Sequence, residues 1–110
     1  MLTFIMLTRL SSDALHSPKS LEELEQQIMK QIHSECPQVK WVHNYAVLGG
    51  CDYLDIFEAP DLETAMKVST IIRTYGHANT EIWSAKDWKG FKKIIRDLPG
   101  GKSYMPSGKG

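Results

Sequence analysis

The sequence predicts an α+β fold in which two helices cover one face of a four-stranded antiparallel sheet. Two observations carry this prediction. The apolar periodicity gives the order strand, helix, strand, strand, helix, strand, and a Gly-Gly pair joins the two middle strands. The 110 residues fit one domain, which we place at residues 1–98 with an extra C-terminal helix, followed by a flexible tail over residues 99–110.

The first part of the chain supplies a strand and a helix. Residues 3–10 form a short apolar run that is typical of a buried strand. A polar loop containing Pro18 follows, and Ser20 is the predicted start of a helix because Ser20 and Glu23 form a capping box. The helix ends before Pro37, and its apolar stripe consists of Leu21, Leu24, Ile28 and Ile32.

A hairpin is predicted in the middle of the chain. Residues 39–48 and 53–58 have the composition of strands. Gly49 and Gly50 lie between them, and glycine accepts the positive φ that tight turns require. With the elements on either side, this hairpin completes the split βαβ pattern of a ferredoxin-like sandwich.

A second helix, a last strand and a third helix follow the hairpin. Asp61 is placed to cap a helix over residues 62–75, with Gly76 as its left-handed stop. The last strand is predicted over residues 79–85. The inward side chains of the second helix are Ala65, Met66, Ser69 and Ile72. The apolar stripe of the third helix consists of Trp88, Phe91, Ile95 and Leu98.

Charge and composition limit the partners and the compartment. Thirteen basic and thirteen acidic side chains cancel, and the pI is near 6.9. This balance disfavours nucleic acid and anionic membrane surfaces, because both attract proteins with a basic excess. No apolar run approaches the roughly 20 residues that cross a bilayer, and signal-peptide features are missing. Cys36 and Cys51 fit free thiols in a reducing compartment, so we expect a cytoplasmic protein.

The predicted sheet has one face that no helix covers. That face is expected to carry aromatic side chains, which a lone domain of this size would leave exposed to water. Self-association through the open face would bury them. The sequence therefore predicts a homodimer or a higher homo-oligomer.

The open face is also the predicted functional site. A three-residue hairpin loop places Asp55 beside His43 and turns Leu54 and Ile56 towards the helices. A two-residue loop shifts the pairing by one and separates Asp55 from His43. We prefer the first register because it buries Leu54 and Ile56 together. With side chains from the last strand, the predicted ligand-binding residues are His43, Tyr45, Tyr53, Asp55, Glu81 and Trp83.

These residues permit more than one kind of chemistry. Aromatic walls with a few polar groups are the usual anatomy of a small-molecule site. His43 beside Asp55 would be a general base with an orienting carboxylate, or the two would hydrogen-bond across a self-association interface. His43, Asp55 and Glu81 offer nitrogen and oxygen ligands for a divalent ion, but their spacing is not that of a metal motif. We therefore predict no metal and no cofactor.

Three motifs resemble the GYD domain family. The hairpin turn reads Leu48-Gly49-Gly50-Cys51-Asp52, and the next strand ends in Ile56-Phe57-Glu58-Ala59-Pro60-Asp61. Further on, Gly76-His77-Ala78-Asn79-Thr80-Glu81 resembles the stretch before the last strand of the family. The resemblance spans residues 4–85 and implies a ferredoxin-like subunit paired as a dimeric α/β barrel, without specifying an activity. The sequence departs from the family at Cys51, which replaces the tyrosine of the family name.

Three functions follow as hypotheses. The first is a homo-oligomeric domain that binds a small, partly apolar molecule between facing sheets. The second is an enzyme of the cofactor-independent monooxygenase or isomerase type, an analogy that rests on the fold alone. The third is a purely structural or regulatory oligomer with a dry interface.

Overall fold

The chain alternates strands and helices in the predicted order. A computed structural model describes residues 1–11, 18–76 and 78–100. The predicted tail beyond residue 100, together with His16 and His77, lies outside the described residues. The elements are β1 (Leu2–Leu10), α1 (Pro18–Glu35), β2 (Lys40–Ala46), β3 (Tyr53–Ala59), α2 (Leu62–Tyr75), β4 (Ala78–Ala85) and α3 (Trp88–Asp97).

The four strands form one antiparallel sheet in the order β2-β3-β1-β4. Phe4 of β1 lies opposite Phe57 of β3 on one side and Ser84 of β4 on the other. Both α1 and α2 pack on the face that carries Phe4, and together with the sheet they enclose the core. The predicted α+β fold with a ferredoxin-like topology is therefore confirmed.

The core is centred on three side chains of the two inner strands. Phe4, Met6 and Phe57 are at most 1% exposed, and the rings of Phe4 and Phe57 stack with centroids 5.5 Å apart. Val68 of α2 and Ile32 of α1 close the core from the helix side. Burial of this apolar surface is the main stabilising contribution to a domain of this size.

The helix α2 begins where the sequence predicts. The carboxylate of Asp61 accepts a hydrogen bond from the amide of Thr64 at 2.8 Å, and this cap fixes the first turn. The inward face is Ala65, Val68, Ile71 and Ile72, all of them buried. The prediction that Met66 points inward was wrong, because Met66 is 59% exposed.

Gly76 ends α2, but the predicted left-handed conformation was wrong. Its φ is −94°, within the right-handed region. Glycine is needed there for space instead. A Cβ on Gly76 would lie 2.5 Å from the carbonyl oxygen of Ile72 and 2.7 Å from Cδ1 of Ile28 in α1.

The helix α1 begins at Pro18, two residues before the predicted start. Proline is favoured in the first turn of a helix, because the amides of that turn have no partner within the helix. The predicted polar loop is correspondingly shorter, and residues 12–17 of it lie outside the described residues.

The register of the hairpin differs from the preferred prediction. Ala46 pairs with Tyr53, and the amide of Val47 donates to the carbonyl of Asp52 at 2.9 Å. Residues 48–51 therefore form a four-residue loop, which gives the same strand parity as the two-residue alternative. Tyr53, Asp55 and Phe57 face the helices as a result, whereas Leu54 and Ile56 lie on the open face.

Two polar contacts tie the hairpin to the end of β1. The carboxylate of Asp52 accepts the amide of Leu10 at 2.7 Å, and the amide of Asp52 donates to the carbonyl of Thr8 at 2.8 Å. The guanidinium of Arg9 donates to the carbonyl of Gly50. These contacts give Asp52 a structural role at the start of β3.

Candidate functional site

A cavity of about 370 Å³ lies between the first half of α1 and the sheet. Its walls are mainly apolar, and three half-buried side chains of α1 (Leu21, Leu24 and Ile28) face it. Thr8 and Leu10 of β1 form part of the floor on the sheet side. A volume of this size is typical of cavities that hold small molecules.

Asp55 is one of the polar residues that line the cavity. Nδ2 of Asn44 donates to Oδ1 of Asp55 at 2.7 Å, across the β2–β3 pair in which the two residues lie directly opposite. Burial raises the pKa of Asp55 above its ordinary value, and the hydrogen bond from Asn44 only partly offsets that effect. The cavity thus contains a carboxylate that is held in one orientation and partly withdrawn from water.

A second carboxylate and a phenol line the same cavity. Glu25 of α1 is on the cavity wall, and Tyr53 of β3 lies across from it. Burial raises the pKa of the Tyr53 phenol, and the negative charges of Asp52, Glu25 and Asp55 raise it further. The phenol therefore stays protonated at neutral pH and acts as a hydrogen-bond donor.

The charged side chains that line the cavity are all acidic. Glu25 and Asp55 are acidic, and none of the described residues that line the cavity is lysine, arginine or histidine. The indole of Trp41 and the phenol rings of Tyr45 and Tyr53 add aromatic surface. An acidic, aromatic-walled cavity of this kind favours ligands that carry a positive charge or hydrogen-bond donors.

The six predicted site residues fall into three separate places. His43 and Tyr45 lie on the open face of β2, with ring centroids 5.9 Å apart. Glu81 and Trp83 lie on the open face of β4, where Nε1 of Trp83 donates to Oε2 of Glu81 at 2.6 Å. Tyr53 and Asp55 lie on the opposite face of the sheet, and of the open-face residues only Tyr45 also borders the cavity.

The predicted pairing of His43 with Asp55 was therefore wrong. The two side chains project from opposite faces of the sheet, so Asp55 does not orient the imidazole. The strands β2 and β4 are at opposite edges with two strands between them, which separates them by about 14 Å. The pair on β2 and the pair on β4 consequently share a face without forming one site.

Aliphatic side chains occupy the centre of the open face. Ile5 and Leu7 of β1 and Leu54 and Ile56 of β3 lie side by side there, each only half-buried. A second pocket, of about 490 Å³, includes Cys51 at the tip of the hairpin, next to Arg9 and Glu81. The other thiol, Cys36, is buried, and burial raises its pKa, so it is an inert part of the core.

Sequence reasoning missed Asn44 and Glu25. The strand β3 contains a signal that leads to Asn44. Side chains alternate along a strand, so if Glu58 points away from the core, then Phe57 and Asp55 both point towards it. Asn44 then follows as the neighbour of Asp55. Glu25 sits among Leu21, Leu24 and Ile28 on the inward side of the helix, and a lone carboxylate in that position is a signal for a polar contact.

The described residues form neither a cluster suited to a metal ion nor a helix suited to a membrane. Within residues 1–11, 18–76 and 78–100, no group of three or more His, Cys, Asp or Glu side chains is placed to hold a metal ion. In particular, the set of His43, Asp55 and Glu81 is not assembled. Across the described chain, no helix has the length and apolar character needed to span a membrane.

Two solved structures share this fold. A crystal structure of muconolactone isomerase aligns with a TM-score of 0.51 and 14% identity over 77% of this chain and 88% of that chain. A protein of Arabidopsis thaliana aligns with a TM-score of 0.50 and 11% identity over 79% of this chain and 95% of that chain. At these identities the likeness concerns the fold alone.

Sequence comparison adds the family. A search among curated proteins finds no match. The model of the GYD domain family, in contrast, matches residues 4–95, which include β2, β3, β4, β1 from Phe4 onward and every residue that lines the cavity. The chain belongs to the GYD domain family.

Proposed function

We propose that this domain binds a small organic cation, an amine with an apolar body, in the cavity between α1 and the sheet. One observation carries the proposal: two carboxylates and no basic side chain line a mainly apolar cavity of about 370 Å³. A buried carboxylate is costly unless a positive charge or several donors accompany it. An ammonium group would supply both to the half-buried Asp55, and the exposed carboxylate of Glu25, which also lines the cavity, would add a second negative charge.

The shape of the cavity favours an amphipathic molecule. The ammonium group would lie between Glu25 and Asp55, close to the ring of Tyr53, where the aromatic face also attracts a cation. The apolar body would lie along Leu21 and Leu24. This location differs from the predicted one between facing sheets, because the apolar-lined cavity is on the helix side of the sheet.

The proposal is tested with a matched series of ligands. Thermal unfolding is followed in the presence of benzylamine, benzyl alcohol or benzoate, which differ mainly in the charge at one end. We expect benzylamine to raise the Tm by several degrees at concentrations well above its Kd, and the other two to have little effect. An equal shift with benzoate would overturn the proposal.

Variants locate the binding site. Asp55→Asn and Glu25→Gln keep the size of each side chain and remove its charge, so each should weaken benzylamine binding at least tenfold. Glu63→Gln is the control, because Glu63 is an exposed carboxylate in the first turn of α2. Equal losses in all three variants would mean that the amine responds to net charge and not to the cavity.

Proton transfer is a second candidate function, favoured by the environment of Asp55. A carboxylate with a raised pKa, oriented by Asn44 in an apolar cavity, suits removal of a proton from a carbon next to a carbonyl group and its return to another carbon. One of the structures with this fold is named an isomerase. The test is exchange of solvent deuterium into a panel of lactones and ketones, which Asp55→Asn should abolish and Asn44→Ala should slow.

We also propose that the open face mediates self-association. Ile5, Leu7, Leu54 and Ile56 form an apolar centre, and polar or aromatic side chains surround it at both edges. Such a distribution is typical of protein interfaces. Substituting Leu54 by Asp should disrupt this contact, so that in sedimentation experiments the variant forms a smaller assembly than the wild type. The free thiols of Cys36 and Cys51 support the further proposal of a cytoplasmic location.

A further inference from the structure

The apolar stripe of α3 has no partner in the described structure. No residue of α3 is buried, and only Lys86 and Asp87 separate the helix from β4. The stripe comprises five large side chains between 40% and 67% exposed: Trp88, Phe91, Ile94, Ile95 and Leu98. A contiguous apolar surface of this kind marks an interaction surface.

The opposite side of α3 is basic. At 100° per residue, Lys89, Lys92, Lys93 and Arg96 project away from the apolar stripe. This reflects a wider separation of charge along the chain. Residues 86–110 contain seven basic and two acidic side chains, a net charge of +5, whereas residues 1–85 contain six basic and eleven acidic side chains, a net charge of −5. Residues 86–110, the basic arm, and residues 1–85, the acidic body, are therefore complementary in charge.

The first half of α1 provides a surface that matches α3. Glu22, Glu23 and Glu25 are exposed there, and Leu21 and Leu24 between them are only half-buried. Leu21 and Leu24 offer apolar contact to the stripe of α3, whose basic side then points outward. The negative charge of the three glutamates attracts the basic helix as a whole. This surface adjoins the mouth of the cavity, since Leu21, Leu24 and Glu25 also line it.

The α3 helix of the same chain is badly placed to reach this surface. Ala85 at the end of β4 pairs with Thr3, whereas the first half of α1 lies near Leu10 at the other end of β1. The step from Thr3 to Leu10 spans about 24 Å. A ten-residue helix is about 15 Å long and its two-residue linker adds about 7 Å. Folding back would bring at most the last turn of α3 into contact and leave Trp88 and Phe91 exposed.

We propose that α3 docks on the first half of α1 of a second copy of this chain. In a two-fold symmetric pair, the α3 helix of each copy docks on the α1 helix of the other. Two equivalent contacts therefore cover both apolar stripes. An anionic membrane is a less suitable occupant, although basic amphipathic helices bind such surfaces. The membrane would attract the arm and repel the acidic body beside it, whereas a second copy satisfies both charges. The inference stands whether or not the cavity holds a ligand.

Two charge-reversed variants of the full chain test the inference. An arm variant carries Lys89→Glu, Lys92→Glu and Lys93→Glu, and a body variant carries Glu22→Lys, Glu23→Lys and Glu25→Lys. Each alone places like charges in both contacts of the pair, so self-association measured by sedimentation should weaken at least tenfold. An equimolar mixture restores opposite charges in both contacts, and we expect its affinity to return to within threefold of the wild type.

The mixture distinguishes contact between chains from contact within one chain. Docking on the same chain would leave the mixture as weak as either variant, and that result would overturn the inference. Arm and body variants that associate like the wild type would overturn it too. The control is Lys30→Glu with Lys40→Glu and Arg73→Glu, the same change in charge at exposed sites outside α3, for which we expect less than a threefold effect.

Two further measurements keep the inference testable if the body variant does not fold. Chains with Lys92→Cys, mixed with chains carrying Glu22→Cys in a Cys51→Ser background, should form a disulfide-linked pair with one chain of each kind. Absence of that pair under oxidising conditions would count against the contact. Cosedimentation of the wild type with phosphatidylserine vesicles, lost in the arm variant, would assign α3 to a membrane surface instead.

Discussion

The helices α1 and α2 carry similar apolar stripes, yet they contact the sheet differently. In α2, four of 14 residues are buried, among them the small side chains Ala65 and Val68, which let the helix approach the sheet closely. In α1, which has 18 residues, Ile32 is the buried apolar side chain, and the larger residues of its first half border a cavity. Similar periodicity therefore produces a tightly packed element in one place and the wall of a cavity in the other.

Small side chains on the sheet contribute to this difference. Ala59 and Ala78 are buried in the core cluster to which α2 contributes four side chains, and a hydrogen bond between the hydroxyls of Ser69 and Thr80 holds α2 to β4. Beneath α1, the sheet presents Asn44 and Asp55, which do not pack as closely as apolar groups. Polar side chains on the floor of the cavity thus accompany the gap beneath α1.

The largest expected effect comes from truncating one isoleucine in each helix. Ile71→Ala in α2 removes a buried side chain from a closely packed contact and should lower the free energy of unfolding by about 2–4 kcal/mol. Ile28→Ala in α1 removes a half-buried side chain beside existing empty space and should cost about 1 kcal/mol. Urea unfolding of the two variants measures the difference. Equal costs would show that α1 packs as tightly as α2.

Gly76 tests a place where the two helices meet closely. Gly76→Ala introduces a Cβ that meets the fixed carbonyl of Ile72 and the side chain of Ile28, and we expect a loss of about 1–3 kcal/mol in urea unfolding. Gly50→Ala is the matched control, because a Cβ there meets no atom within 4 Å. A neutral Gly76→Ala would mean that α1 shifts freely relative to α2.

Asp55 and Asp61 should give pH dependences of opposite sign. Burial raises the pKa of Asp55, so the folded chain loses stability as pH rises from 3.8 through the folded pKa. Hydrogen bonds from the side chain and the amide of Thr64 lower the pKa of Asp61, which therefore adds stability above 3.8 that is lost as pH falls through its folded pKa. At neutral pH, Asp55→Asn should raise the Tm by a few degrees and Asp61→Asn should lower it. Thermal unfolding below pH 3.8 should bring both variants closer to the wild type.

The smallest effect on stability is expected from filling the cavity. Leu24→Phe adds apolar volume next to empty space, so the Tm should change little, in contrast to a similar enlargement at Val68 of α2. Binding of benzylamine should nevertheless be lost, because the ring takes the place of the ligand. A large drop in Tm for Leu24→Phe would show that the cavity is narrower than its walls indicate.

The sequence predicts α2 well and β3 poorly, for a physical reason. The bounds and cap of α2 depend on local signals, namely Asp61, the apolar spacing and the space required at Gly76. The two faces of β3 depend on which neighbour each side chain meets. Leu54 and Ile56 looked like core residues, but the open face is itself apolar, so hydropathy alone did not distinguish the faces.

The candidate site was only partly within reach of the sequence. Tyr53 and Asp55 are predicted site residues, but the prediction puts them on the wrong face of the sheet. A bulge between Trp41 and His43 changes the side-chain alternation of β2, and no glycine or proline in the sequence marks its position. The gap under α1 depends on the distance between two packed layers, and periodicity carries no information about that distance. The exposure of α3 is likewise a property of the assembled chain.

The same bulge has a consequence for β2, which has a hydrogen-bonded neighbour on one side only. An edge strand offers its free amides and carbonyls to other sheets, and a local twist at Val42 makes this edge a poor template for adding strands from other molecules. It also leaves β2 with fewer bonds to break than the inner strands when it separates from the sheet. Because Trp41, Asn44 and Ala46 of β2 form one wall of the cavity, separation of this edge strand from β3 would open the cavity from its side.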